Sequence, residues 1–184
     1  MTHFERLNAH ALANKVPLHV LFEITGRCSL DCRHCYVDVH RPPPELATRE
    51  VKDAFEQLRA AGAMFLTVSG GEPFLRPDLL PLLAHARRLG FAVRLFTSGT
   101  RLTRADAEAL ARLGEVAVEL SLYSHRHEVH DDVTRRRGSH RRTLRAALRL
   151  RRLGVPVVLK APILAPTAGG HRPLLELARR VGAD

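Results

Sequence analysis

The chain has 184 residues, of which 45% are hydrophobic and 26% are charged. These proportions are typical of a globular protein, and the length suits one domain with a sizeable core. No run of about 20 apolar residues could span a bilayer, and the N-terminus lacks the apolar segment of a secretory signal. The composition excludes a transmembrane protein, and we expect a cytoplasmic one.

The formal net charge is +10, and a large share of it lies in one segment. Between residues 126 and 152, ten arginines stand against three acidic residues, a local excess of +7. Such an excess can attract an anionic partner. Surfaces that bind single-stranded nucleic acid interleave basic residues with Phe, Tyr or Trp, and this segment contains none. A nucleic-acid partner is therefore disfavoured.

Five short apolar segments are predicted to be buried strands. The first runs from Pro17 to Thr25, after an N-terminal extension of residues 1–13. The remaining strands are predicted over residues 64–69, 91–97, 115–122 and 155–161. Strands of this length, bounded by glycine or proline, are typical of a parallel sheet that is covered by helices.

Amphipathic segments alternate with these strands. In the first, Val51, Phe55 and Leu58 recur at i, i+4 and i+7, so we predict a helix that Thr48 caps. Further helices are predicted over residues 78–89, 103–113, 139–153 and 171–181. A glycine follows each of the first four helices and can end it.

Five strand–helix units in series predict an α/β fold with a parallel sheet and right-handed crossovers. The pattern alone fits either an open doubly wound sheet or a barrel. Polar or glycine-rich residues stand at the carboxyl end of each of the five strands. At the fifth strand this residue is Lys160. Because barrels collect functional groups at the carboxyl ends of their strands, we favour a partial TIM-like (β/α) barrel.

All the cysteines of the chain fall within one run of eight residues, C-S-L-D-C-R-H-C. Cys28, Cys32 and Cys35 supply three thiolates, whereas ordinary iron–sulfur carriers supply four. A four-iron cluster on this loop would therefore keep one iron free for a substrate or cofactor. The odd number and close spacing disfavour disulfides. An alternative is a basic nucleic-acid module with a Cys3His zinc site, in which His34 or His40 is the fourth ligand.

The cysteine run, followed downstream by Gly70, Gly71, Glu72 and Pro73, resembles the radical SAM superfamily. The resemblance covers roughly residues 14–170. It implies a core of six β/α units, of which this chain has about five, and a 4Fe–4S cluster whose free iron binds S-adenosylmethionine (SAM). It also implies reductive cleavage of SAM to a 5′-deoxyadenosyl radical that abstracts hydrogen from a substrate, with electrons from an external donor.

The resemblance also implies site residues. The three cysteines would bind the cluster, and His34 and Tyr36 flank the last of them, with His34 near the adenine. The backbone of Gly70 and Gly71 would bind the amino group of SAM, since glycines let a ligand approach closely.

Four further candidates follow strands two, three and four. Glu72 would hold its turn or add a carboxylate contact to SAM, and Pro73 fixes the exit of the loop. Ser98 stands where many members of the family have Asn. Ser121 occupies a position that often reaches the ribose.

The segment H-D-D-V-T-R-R-R-G-S, which begins at His130, resembles radical SAM proteins that act on peptides and carry a SPASM or twitch extension. A peptide or other sizeable substrate is therefore expected, although each residue of the segment by itself fits a solvated loop. SPASM extensions carry further cysteines, and none follows Cys35. We therefore expect residues 14–184 to be a C-terminally incomplete core domain. A catalytically inactive scaffold that binds SAM is a further alternative.

Overall fold

The computed structural model describes residues 1–183. Five strands form one sheet in which every neighbouring pair is parallel. Their bounds are β1 His19–Glu23, β2 Phe65–Ser69, β3 Ala92–Thr97, β4 Val116–Ser121 and β5 Val157–Lys160. The order of the strands in space follows their order in the chain. Because a doubly wound sheet reverses that order at a switch point, the structure confirms the barrel-like arrangement.

Seven α-helices lie within the described residues. They are α1 His3–Ala13, α2 Thr48–Ala60, α3 Leu79–Arg88, α4 Arg104–Leu113, α5 His127–Thr134, α6 Ser139–Arg152 and α7 His171–Val181. The five predicted helices are confirmed as α2, α3, α4, α6 and α7. Throughout residues 1–183, every helix is too short or too polar to cross a membrane.

Two helices were not predicted. The N-terminal extension contains α1, where Thr2 and Glu5 form a capping box. That sequence signal was available and was overlooked. The interpretation of the segment from His130 as a solvated loop is wrong for its first half, which lies in α5, where His130 and Val133 are buried. It holds for residues 135–137, which are exposed between α5 and α6. Helix α5 is short and rich in charge, and therefore lacks a clear apolar period.

The hydrophobic core lies on one face of the sheet, beneath the helices. Val51 and Phe55 are fully buried there, and Leu58 packs against them, as predicted. Glycines end the four helices α2, α3, α4 and α6 with positive φ, a conformation that favours glycine. These residues are Gly62, Gly90, Gly114 and Gly154.

The prediction that Thr48 caps α2 is wrong. The N-cap is Ala47, whose N–H donates to the Glu50 carboxylate at 2.7 Å. The Thr48 hydroxyl instead donates to Asp78 Oδ2 at 2.7 Å. Thr48 therefore ties the start of α2 to the start of α3.

Candidate functional site

A cavity of about 230 Å³ opens at the carboxyl ends of β1 to β4. It is lined by nine of the eleven candidate site residues: Cys28, Cys32, His34, Cys35, Tyr36, Gly70, Gly71, Ser98 and Ser121. The other two, Glu72 and Pro73, are buried next to it. The fold thus brings together residues that are spread over almost one hundred positions of the chain.

The cysteine loop presents its thiols at different depths. Cys28 and Cys32 are half-buried, and Cys35 is exposed. Burial raises the pKa of the Cys28 thiol, and burial together with the neighbouring cysteines raises the pKa of Cys32 to about 11. Metal binding requires thiolates. A bound metal or cluster would therefore have to displace the protons of these thiols.

Helix α5 holds the cysteine loop in place. The N–H of Arg33 donates to Val133 O at 2.9 Å, and the N–H of Asp31 donates to Thr134 O at 3.3 Å. Two ion pairs reinforce these bonds, one between Arg33 and Asp132 at 2.5 Å and one between Arg135 and Asp31 at 2.9 Å. The side chain of Leu30, which follows Cys28 by two positions, is buried and lines the cavity. The loop is thus shaped by a helix about one hundred residues further along the chain.

The glycine loop after β2 packs directly on the start of the cysteine loop. The Gly71 N–H donates to Thr25 O at 2.8 Å, and the Glu72 N–H donates to Arg27 O at the same distance. A Cβ atom at Gly70 would lie 2.3 Å from Thr25 O, and one at Gly71 would lie 2.3 Å from Arg27 O. The glycines therefore permit contact between the two loops, in addition to the ligand approach expected from the sequence.

Glu72 links the loop after β2 to the loop after β3. Its buried carboxylate accepts hydrogen bonds from the Thr97 hydroxyl at 2.5 Å, the Phe74 N–H at 3.3 Å and the Ser98 N–H at 3.1 Å, and from the Ser98 hydroxyl. Burial raises the pKa of Glu72, and these donors oppose that shift. Of its two expected roles, the structure favours holding the turn, because protein donors surround both oxygens. Pro73 begins the 3₁₀ turn Pro73–Leu75 that follows.

An aromatic wall closes another side of the cavity. His34 stands edge-on to Tyr123, with ring centroids 4.9 Å apart, and Tyr123 stacks on His130 at 5.3 Å. Burial raises the pKa of the Tyr123 hydroxyl, and the neighbouring Cys32 adds to that shift while Ser121 opposes it. Tyr36 is mostly exposed, and its hydroxyl donates to Glu23 at 2.5 Å.

Sequence reasoning missed five residues that line the cavity. They are Leu30, Ser69, Phe96, Thr97 and Tyr123. A signal for Tyr123 was present, since it stands two residues beyond Ser121 and residues two apart lie on one face of an extended chain. Phe96 gave no signal, because a phenylalanine within a strand normally belongs to the core.

Among residues 1–183, no three or more His, Cys, Asp or Glu side chains converge as the ligands of one metal ion do. The three thiols of the cysteine loop instead line one open cavity.

Comparison with known proteins finds curated relatives of this chain. A PqqA peptide cyclase from Bradyrhizobium diazoefficiens is 37% identical over 148 residues, which cover 79% of this chain and 39% of the relative. A PqqA peptide cyclase from Streptomyces rochei is 35% identical over 170 residues, which cover 91% of this chain and 46% of the relative. The chain therefore spans less than half the length of these curated relatives.

Solved structures confirm the fold. Streptococcus suis SuiB bound to precursor peptide SuiA superposes with a TM-score of 0.84 at 17% identity, over 98% of this chain and 41% of SuiB. The anSMEcpe protein with bound AdoMet and Cp18Cys peptide superposes with a TM-score of 0.74 at 18% identity. The superposition covers 89% of this chain and 48% of the anSMEcpe chain. The family model of the Radical SAM superfamily matches residues 22–167. The chain, with its three-cysteine loop, glycine loop and sequentially ordered parallel sheet, belongs to the radical SAM superfamily.

Proposed function

We propose that this chain is the core of a radical SAM enzyme in which Cys28, Cys32 and Cys35 hold a 4Fe–4S cluster and leave one iron open to SAM. The observation that carries the proposal is the meeting of the three thiols, the glycine loop and two strand-end serines around one cavity. When bound, the cluster and SAM together supply a 5′-deoxyadenosyl radical. The chemistry belongs to the cofactors, and the protein binds, orients and encloses them.

Different residues around the cavity would contact different parts of SAM. The backbone of Gly70 and Gly71 would receive the amino group of SAM, and Ser121 would contact its ribose. His34 would lie near the adenine, and Tyr36, on the other side of Cys35, would add a further contact to SAM. Ser98 reaches the same cavity, but its hydroxyl also bonds to Glu72, so its main effect would be to fix the loop that faces SAM.

The substrate we propose is a peptide. The support is that the relatives are named PqqA peptide cyclases and that two structural neighbours carry peptides. We further propose an external electron donor, because reductive cleavage of SAM consumes an electron that has to be supplied to the cluster. A cytoplasmic location suits three thiols that must stay reduced.

Anaerobic reconstitution with iron and sulfide tests the proposal. We expect about four iron atoms per chain, a brown protein, and an electron paramagnetic resonance signal of the reduced cluster that changes when SAM is added. Addition of dithionite should release 5′-deoxyadenosine, measured by mass spectrometry. A colourless protein that retains zinc would contradict the proposal and support the zinc alternative. SAM binding without 5′-deoxyadenosine would support the inactive scaffold.

A further inference from the structure

Three charged residues lie together on the face of the sheet opposite the helices. Glu119 of β4 is only 2% exposed. Its Oε1 atom accepts a hydrogen bond from Arg94 Nη1 of β3 at 3.2 Å, and the Lys160 ammonium of β5 contacts its Oε2 atom. We call Arg94, Glu119 and Lys160 the charged triad.

The charged triad adjoins the candidate SAM site. In the sheet, Glu119 is level with Phe96, and Lys160 is level with Ser121. Lys160 Nζ lies 3.7 Å from the centre of the Phe96 ring. Because Phe96 and Ser121 both line the cavity, a group bound by Lys160 would stand beside the reacting position.

The charges of the triad do not balance. Two cations surround one carboxylate, so the net charge is +1. A buried carboxylate needs a partner, but one cation would suffice. The Lys160 ammonium forms an ion pair with Glu119 Oε2, which engages one of its three N–H donors and leaves the other two for a ligand. The side chains of Arg94 and Lys160 are 63% and 48% exposed.

We infer that Arg94 and Lys160 form a binding site for a carboxylate of the substrate, immediately below the SAM cavity. This inference rests on the proposed function, since it assigns a subsite to the proposed peptide. The planar guanidinium of Arg94 can bind a carboxylate through two N–H donors, and Lys160 adds a mobile point charge. Glu119 holds both cations in place and competes with the ligand for them.

The carboxylate has two possible sources, an acidic side chain or the C-terminus of the peptide. Three small probes distinguish them. N-acetyl-glutamate α-methylamide carries only a side-chain carboxylate, N-acetyl-alanine carries only a terminal one, and N-acetyl-glutamine α-methylamide carries none. Their binding is measured by saturation-transfer nuclear magnetic resonance on the reduced, cluster-free chain, so the measurement does not depend on cluster assembly.

We expect at least one carboxylate probe to bind at millimolar concentration and the glutamine probe to bind at least fivefold more weakly. The probe that binds more tightly identifies the source. Arg94→Gln and Lys160→Gln should each lower the affinity for the carboxylate probe at least fivefold. The side chains of Arg94 and Lys160 are both about half-exposed or more, so we expect these variants to fold, which circular dichroism checks.

Glu119→Gln gives the opposite and more diagnostic change. It removes the competing carboxylate and raises the net charge of the triad from +1 to +2, so binding of the carboxylate probe should tighten at least twofold. The matched control is Arg112→Gln, because Arg112 is exposed on α4 beyond the other face of the sheet. This control should leave probe binding unchanged.

Equal affinity for the glutamate and glutamine probes would overturn the inference, as would unchanged affinity in both cation variants. Weaker carboxylate binding in Glu119→Gln would also overturn it, since the cations would then serve only to neutralise Glu119. These results leave the proposed function standing. Conversely, failure of the reconstituted chain to release 5′-deoxyadenosine would refute the proposed function without altering the probe titration.

Discussion

Replacing Asp78 with asparagine would test how the start of the cysteine loop is held. Arg76 and Asp78 form a two-bond ion pair, with Nε to Oδ1 at 2.8 Å and Nη2 to Oδ2 at 2.6 Å. The third guanidinium nitrogen of Arg76 donates to Ile24 O at 2.9 Å and Leu46 O at 3.0 Å. The pair therefore orients the arginine that joins the end of β1 to the segment before α2.

The pKa of Asp78 gives the magnitude. Its hydrogen bonds with Arg76 lower that pKa from 3.8 to about 2, while burial opposes the shift. Since one unit corresponds to about 1.4 kcal/mol, the carboxylate contributes roughly 2 kcal/mol to the free energy of unfolding at neutral pH. The Asp78 side chain is only 17% exposed and that of Arg76 only 4%, so solvent screening reduces this value little.

The sign of the pH dependence follows from the lowered pKa. The ionised carboxylate stabilises the fold at every pH above its unfolded value near 4, and this contribution is lost as the pH falls through about 2. We therefore expect Asp78→Asn to lower the free energy of unfolding by about 2 kcal/mol at pH 7, with a gap from the parent that shrinks below pH 4.

Urea unfolding of the reduced, cluster-free chain, followed by circular dichroism between pH 7 and pH 3, measures this gap. The control is Asp53→Asn, because Asp53 forms only an exposed i, i+4 pair with Arg49; surface pairs of this kind contribute little. A gap below about 0.5 kcal/mol at pH 7, the usual range of a surface substitution, would refute the reasoning. A gap that stays constant as the pH falls would refute it too.

Three further predictions concern the loops around the cavity. Alanine at any one of the three cysteines should abolish cluster assembly, measured as bound iron, while the circular dichroism spectrum of the fold is preserved because the loop lies outside the core. Gly71→Ala should lower iron content and SAM affinity together, because the added Cβ meets Arg27 O at 2.3 Å and displaces the cysteine loop. Glu72→Gln should weaken SAM binding and lower the free energy of unfolding by about 1 to 2 kcal/mol, since an amide nitrogen cannot accept the Ser98 N–H.

Each of these predictions has a control. Ser29→Ala, within the cysteine run, should retain full iron content, and full iron content in all three cysteine variants would contradict the cluster assignment. For Gly71, iron content that stays normal while SAM affinity falls would show that the glycine serves the ligand alone. For the buried Glu72, the control is Glu176→Gln on the exposed face of α7, and equal stability of the two variants would contradict the proposed bridge between loops.

Local patterns in the sequence determined most of the fold. The five strands, five of the seven helices and the glycines that end four of them could be predicted because apolar periodicity and backbone freedom act within a few residues. The cluster loop could be predicted for a similar reason, since its thiolates lie within eight positions. The capping box of α1 was equally local and could have been found.

The tertiary structure decided what depends on distant residues. The support of the cysteine loop by α5 joins Arg33 to Val133 and Asp132. The role of Glu72 became clear only when its carboxylate was seen among donors from Thr97 and Ser98. No periodicity encodes such pairs, because they form only after the sheet aligns its strands.

The charged triad is the clearest example of contacts that sequence patterns do not predict. Arg94, Glu119 and Lys160 are spaced 25 and 41 residues apart, and each stands in an otherwise apolar strand. In the sequence they read as three unrelated polar residues. Parallel pairing in sequential order places β3, β4 and β5 side by side, and the register then brings the three charges together. The sequence alone determined which charges are present, whereas the strand register decided that they meet. The reason is that strands pair through their backbones, so the residues next to each charge in the sequence do not show which strand it will face.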